Sequence, residues 1–212
     1  RLLRDQAQSF EAISHDLRTP LARQKIAADL VEDPEIGLIL RDSVMEMDDL
    51  LNSLQAFLRA QHVTAEAEEV DLTALAHEVA SPFGEKASVV SDGPLPALTF
   101  REPVRLALAA LVENAVQFGG RATITISVPG KGSPQVLVED QGPGIDACHF
   151  ESILDPFFRL DAARARDTRG FGLGIPTAHL LMMRFNGSLR FSRGANGGLV
   201  AALTIPRPDE LA

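Results

Sequence analysis

Hydrophobic residues at the start of the chain fall on a heptad: Leu3, Phe10 and Leu17 recur every seven positions, with Ile13 three after Phe10. That spacing predicts a helix over 1–31 with an apolar seam of coiled-coil type. Glu32-Asp33-Pro34-Glu35 interrupts it, and Asp33 is placed to cap a second helix that has Pro34 at its first position. The second helix carries Ile36, Leu40, Val44, Met47, Leu51, Leu54 and Leu58 in steps of four and three, and Ile39, Leu50 and Phe57 widen the stripe. A two-helix hairpin cannot bury a stripe that wide. Two hairpins in an antiparallel four-helix bundle would, which predicts a homodimer; the other solution packs the second flank on residues 70–212.

Beyond residue 60 the pattern changes. Gln61 to Val70 is a polar, Glu- and Ala-rich connector, and Asp71 is placed to cap a helix that runs to about Val79 and is ended by Pro82. Val89-Val90 and Leu98 to Phe100 predict short strands on either side of Asp92-Gly93-Pro94. Arg105 to Phe118 predicts a helix that buries Leu106, Ala109, Leu111 and Val112 and is closed by Gly119-Gly120. Ala122 to Val128 alternates with period two and Gln135 to Asp140 returns, a hairpin that delivers Asp140 to a strand end. Residues 155–170 are rich in Arg, Asp and Ala. The glycines from Gly170 to Gly174 open an apolar helix ending near Phe185-Asn186-Gly187, and Leu189 to Ser192 with Leu199 to Ile205 form a last hairpin. With no regular βαβ alternation, the fold class is α+β: a helical hairpin over 1–62, a linker over 63–70, and a two-layer α/β sandwich over 71–208.

The chain of 212 residues is 45% hydrophobic and 23% charged, which suits one or two globular domains. A net charge of −9 argues against nucleic acid as a partner, since that needs a basic surface. A single cysteine, Cys148, excludes an internal disulfide, and the five histidines show no ligand-like pairing. No stretch approaches the ~18 apolar residues of a membrane span. The chain begins inside a helical pattern, so it reads as part of something longer, with any membrane attachment in segments outside it.

Candidate chemistry lies in four places. With Phe10 at heptad position a, His15 is at f, turned away from the seam. An unperturbed imidazole titrates near pH 6.5 and is therefore mostly an uncharged nucleophile at neutral pH. Asp16 can accept from one ring nitrogen and leave the other free, Thr19 lies at i+4 on the same face, and Pro20 predicts a bend. The second place is Asn114 in Leu111-Val112-Glu113-Asn114-Ala115. Its amide oxygen suits Mg²⁺, though a buried asparagine satisfied by backbone would read the same. The third is Asp140-Gln141-Gly142-Pro143-Gly144. A carboxylate at a strand end can accept from an exocyclic amino group such as adenine's, with glycines letting a ring approach. The fourth is Gly170-Phe171-Gly172-Leu173-Gly174 at a helix start, where free N–H groups suit phosphates. It lacks the βαβ frame of a dinucleotide site.

Ser14-His15-Asp16-Leu17-Arg18-Thr19-Pro20-Leu21 resembles the phosphoacceptor box of sensor histidine kinases. Asn114, the Asp140 glycines, Asp155-Pro156-Phe157-Phe158-Arg159 and the second glycine cluster follow in the order of that family's N, G1, F and G2 boxes. The resemblance implies a four-helix dimerisation bundle followed by an ATP-binding sandwich of Bergerat type, closest to the osmosensor-like branch. It implies that His15 takes the γ-phosphoryl group of ATP, with Asp16 as base and Thr19 positioning water for the reverse dephosphorylation. Asp140 would bind adenine and Asn114 Mg²⁺. Gly142 and Gly144 would shape the pocket, and Gly170, Gly172 and Gly174 would form the phosphate end of a lid anchored by Phe157 and Phe158. Arg159, Arg164, Arg166 and Arg169 are candidates to meet phosphate. The implied partner is the receiver domain of a response regulator, and the implied setting is the cytoplasmic side of a bacterial inner-membrane protein. Four residues depart from the family pattern: Ala110 replaces a second asparagine, Gln117-Phe118 a basic-aromatic pair, and Pro176 falls in the helix after the glycines. The departures open two alternatives, a phosphatase or docking scaffold with weak kinase activity, and an ATPase that uses nucleotide as a conformational clamp.

Overall fold

The computed structural model describes residues 17–130, 132–160 and 170–206. They form two compact units, a helical one that ends at His62 and a second from Val63 onward, with residues 170–171 counted in the first.

The helical unit consists of α1 (residues 17–29) and α2 (Pro34–Ala60). The earlier part of the predicted first helix, with His15 and Asp16, lies outside the described residues. Pro20 lies within α1. The turn behaves as its residues dictate: Asp33 accepts from the backbone N–H of Glu35 at 2.9 Å and of Ile36 at 3.2 Å, and Pro34 opens α2. Asp33→Ala is expected to cost about 1 kcal/mol, read as a lower denaturant midpoint at unchanged slope. Small residues bring the helices together. Gly37 is buried, a methyl on it would meet the Ala28 carbonyl at 3.5 Å, and Ala28 and Val44 are buried with it. The wide stripe is left uncovered: Ile26, Leu30, Ile36, Leu38, Ile39, Leu40, Met45 and Met47 are all exposed in the single chain.

Among the described residues, the second unit pairs three helices with a five-stranded sheet. Its elements are β1 (Glu68–Asp71), α3 (Leu72–Ala80), β2 (Ala87–Val90), β3 (Pro96–Thr99), α4 (Arg101–Gly119), β4 (Ala122–Ser127), β5 (Gln135–Asp140), α5 (Gly174–Arg184), β6 (Ser188–Arg193) and β7 (Leu199–Thr204). The sheet order is β2-β4-β5-β7-β6, with β2 parallel to β4 and every other pairing antiparallel. Ala122, Ile124, Ile126, Val136, Val138, Ala201 and Leu203 are buried at alternate positions, the period expected of strands with one face on a helical layer. Asp140 falls on that same inward phase of β5.

Two expectations are corrected here. Glu68–Asp71, inside the polar connector, is a strand, because it pairs antiparallel with β3 in a separate two-stranded sheet that no local signal announces. The helix expected from Arg105 begins at Arg101, leaving Phe100 as its extended N-cap rather than a strand residue. Its buried stripe is Val104, Ala107, Leu108, Leu111, Val112 and Ala115, whereas Leu106 and Ala109 are only half-buried. The stripe follows the 3.6-residue period once the true start is used.

Asp71 closes β1 and caps α3. Its carboxylate accepts from Thr73 N at 2.9 Å, Ala74 N at 3.3 Å and Leu95 N at 3.1 Å. Partial desolvation pushes this carboxyl up, but the donors of Leu95, Ala74 and Thr73 outweigh it and hold it below its ordinary value. A depressed folded-state value means stability that is present above pH ~3.9 and lost as pH falls through the folded value. Asp71→Ala is expected to lower the melting temperature at pH 7, and the gap to wild type should close on acidification below pH ~3.9.

Candidate active site

Asp140 ends β5 at 6% exposure, a buried carboxylate that needs hydrogen bonds to be tolerated. One oxygen, Oδ1, accepts from Gly142 N at 2.8 Å and from Leu199 N at 3.1 Å. The other takes no hydrogen bond from a described residue, so it is the oxygen left for a ligand's donor. The surrounding backbone is packed so closely that side chains are excluded. A methyl on Gly119, the last residue of α4, would meet Asp140 Cβ at 2.7 Å, and one on Gly198 would collide with the Asp140 carbonyl oxygen. Gly144 has φ +72° and lies against the Gly197 carbonyl. The β6–β7 turn at 194–198 thus forms one wall around Asp140. Gly119, Gly198 and Leu199 were not anticipated as site residues; nothing local in the sequence ties them to a carboxylate many residues away.

The glycine cluster opens α5, whose N-cap, Leu173, makes no side-chain cap hydrogen bond. The first-turn N–H groups of Gly174 and Ile175 are therefore free of a side-chain cap, while Pro176 contributes none. Thr177 returns both its N–H, at 2.9 Å, and its hydroxyl, at 2.6 Å, to the Leu173 carbonyl, which anchors the turn. Gly172 has φ +69°, and a methyl there would meet the Phe158 carbonyl at 2.5 Å. The Gly172 carbonyl accepts from Phe157 N at 3.0 Å. The two predicted motifs are joined by backbone at this point. Phe157 adopts φ +67°, unusual for a side chain of that size, and is exposed, while Phe158 is half-buried with its ring 6.4 Å from that of His149.

Helix α4 spans the two ends of the site. Gly119 touches Asp140, and the Ala110 carbonyl is the nearest neighbour of Gly174, 3.5 Å from a methyl built there. At 1.5 Å per residue the two contacts are about 13.5 Å apart along the helix. Asn114 lies one turn from Ala110 on the same side of α4, half-buried, and its amide has no hydrogen-bond partner among the described residues. An amide oxygen so placed is compatible with Mg²⁺, which accepts oxygen ligands and retains waters. Among the described residues no three of His, Cys, Asp or Glu converge as a metal site. Thr19 is exposed on α1 and Gly170 is half-buried with φ +152°. Arg159 is half-buried, whereas Arg164, Arg166 and Arg169 fall outside the described residues, as do His15 and Asp16.

Residues 100–209 match the family model of histidine kinase-, DNA gyrase B- and HSP90-like ATPases. The chain belongs to this family, and within it is a catalytic core of the sensor histidine kinase type. It is 28% identical over 209 residues to the sensor histidine kinase GtrS of Pseudomonas aeruginosa, covering 98% of this chain and 43% of the relative. It is 27% identical over 220 residues to the sensor histidine kinase CpxA of Escherichia coli, covering 97% and 48%. The chain spans about half the length of the curated relatives it matches. Full-length ShkA, solved in complex with AMPPNP, superposes with a TM-score of 0.70 at 23% identity over 94% of this chain and 45% of that one, which shows the shared fold. No helix among the described residues is long and apolar enough to cross a membrane.

Proposed function

We propose that this chain is the catalytic core of a dimeric two-component sensor kinase, which phosphorylates His15 from ATP and passes the phosphoryl group to an aspartate on a response-regulator receiver domain. Residues 1–62 serve dimerisation and phosphotransfer, 63–70 link, and 71–208 bind ATP. The observation that carries the reading is Asp140: a buried carboxylate with one oxygen tied to Gly142 and Leu199 and the other left for a donor, at one end of α4, with the uncapped start of α5 at the other.

In this reading Asp140 accepts from adenine's amino group, and Gly142 and Gly144 admit the ring. The N–H groups at Gly174 and Ile175 take phosphate oxygens, and Gly170 and Gly172 belong to the lid held by Phe157 and Phe158. Asn114 holds Mg²⁺, which supplies neutralisation of phosphate charge. His15 attacks in line as Asp16 takes up its proton, so that the N–P bond forms as the bond to ADP breaks; positioning and charge neutralisation supply most of the acceleration. Thr19 positions water in the reverse dephosphorylation. The exposed stripe on α1 and α2 is the homodimer face.

Incubation with γ-labelled ATP and Mg²⁺ tests this: wild type takes label and His15→Gln takes none. Turnover that ignores His15→Gln would instead support a nucleotide-driven clamp. The second reading, a phosphatase or docking scaffold with weak kinase activity, is favoured by Ala110 and Gln117. Ala110, whose carbonyl lies beside Gly174 at the start of α5, carries a methyl in place of an asparagine amide. Absent label with retained dephosphorylation of a phosphorylated receiver would select it.

A further inference from the structure

The residue that ends α5 also holds the chain that enters the second unit. Arg184 is exposed, and its guanidinium donates to the Val63 carbonyl at 2.9 Å. Val63 is the first residue of the second unit, and the stretch from Val63 to Ala67, before β1 opens, has no regular secondary structure. A cation at the C-terminal end of a helix is favoured wherever its side chain points. Donation to a carbonyl 121 residues earlier is a separate, tertiary choice. Packing aims the guanidinium: its Cζ lies 5.5 Å from the centre of the Phe185 ring, within the range of a cation–π contact. Phe185 in turn packs on Phe100, with ring centres 4.7 Å apart. Phe100 is the N-cap of α4, and its carbonyl accepts from Val104 N at 3.1 Å. The end of α5 is closed by Phe185 N and Gly187 N, which donate to the Met182 carbonyl at 3.2 and 2.8 Å. The donor is thus held from both sides, and what it fixes is the connector.

The same helix begins at the glycine cluster, where its N-cap makes no side-chain hydrogen bond to the first turn. Phosphate oxygens on the N–H groups of Gly174 and Ile175 would complete that turn. In a helix of 11 residues, order gained at one end is felt at the other, because helical hydrogen bonding is cooperative. Building on the nucleotide site proposed above, we propose that Arg184 is a strap that fastens the start of the connector to α5, so that nucleotide at the first turn of α5 immobilises residues 63–67. With the strap closed, the connector is fixed at Val63. With it open, residues 63–67 are free chain, up to about 17 Å long when extended.

A nitroxide on Thr64→Cys, in a Cys148→Ser background of the full chain, reports the motion of the connector; both positions are exposed. Spectra are recorded with and without a non-hydrolysable ATP analogue and Mg²⁺, and binding of the analogue is measured separately by calorimetry. Without nucleotide, the label should move at least about twofold faster in Arg184→Ala than in the wild-type background. Arg184→Lys should lie between, because an ammonium can still donate to the carbonyl but lacks the planar face that stacks on Phe185. Melting temperature is recorded for each variant and should stay near wild type, as the changes are on the surface. The analogue should slow the label in wild type and leave Arg184→Ala unchanged. Equal motion in wild type and Arg184→Ala would overturn the strap. A label freed by Arg184→Ala, yet unmoved in wild type by an analogue that does bind, would overturn the coupling to nucleotide. Failure of the analogue to bind would sink the nucleotide site and the coupling with it, while the comparison made without nucleotide would still decide the strap.

Discussion

Asp140→Asn is expected to lower ATP affinity by at least ~100-fold while leaving the fold nearly as stable as wild type. An asparagine oxygen at the Oδ1 position still accepts from Gly142 N and Leu199 N, so neither backbone donor is orphaned. The amide nitrogen then occupies the position of the free oxygen. There it presents a donor to adenine's amino group, which is also a donor, and the negative charge that strengthened the contact is gone. Asp140→Ala behaves differently. It removes the acceptor for both backbone N–H groups, so it should lower stability as well as binding, by about 1–3 kcal/mol for the buried donor left unpaired. Calorimetric ATP titration beside thermal denaturation separates the two variants. Unchanged affinity in Asp140→Asn would remove adenine recognition from this residue.

Gly198→Val is expected to destabilise the second unit by about 3 kcal/mol or more, through overpacking that side-chain motion cannot relieve. The atom that blocks a Cβ is the Asp140 carbonyl oxygen, which is backbone, with the Asp140 carboxylate close behind at 2.8 Å. The Gly194–Gly198 turn must therefore move away from β5. Since Leu199 follows directly, that shift breaks its 3.1 Å hydrogen bond to Asp140 and loosens the carboxylate as well. ATP affinity should fall together with stability, in contrast to Asp140→Asn. A fluorescent-nucleotide titration on the folded fraction, run beside urea unfolding, checks the pairing. Gly197→Ala is the internal control: nothing lies within 4 Å of a Cβ built there, and its φ of +94° alone predicts a smaller cost.

Local patterns carried much of the architecture. The Asp33-Pro34 start of α2, the Asp71 cap of α3, the period-two strands β4 and β5 and the Gly120 stop after α4 all depend on residues a few positions apart, so their physics is complete within the segment. The motifs at Asn114, Asp140 and Gly170–Gly174 stood out as candidates for the same reason, since each is a short run with its own chemistry. The strand at Glu68–Asp71 was not. Glutamates have little preference for strands, and only the partner at Pro96–Thr99 makes one of them. Helix α4 starts four residues before the expected Arg105, and Pro103 is accommodated because within a first turn it costs no hydrogen bond.

By itself, then, the order of residues determined most of the helices and strands and offered candidates for the chemistry, because caps, periodicity and turn glycines act over one or two turns of chain. Tertiary structure alone decided that Leu199 joins in holding Asp140 by one oxygen, that Gly119 and Gly198 must have no side chain, and that α4 spans the distance from Asp140 to the start of α5. Those are contacts between residues distant in sequence, produced when β7 pairs with β5 and α4 packs on the sheet. No spacing rule along the chain encodes them.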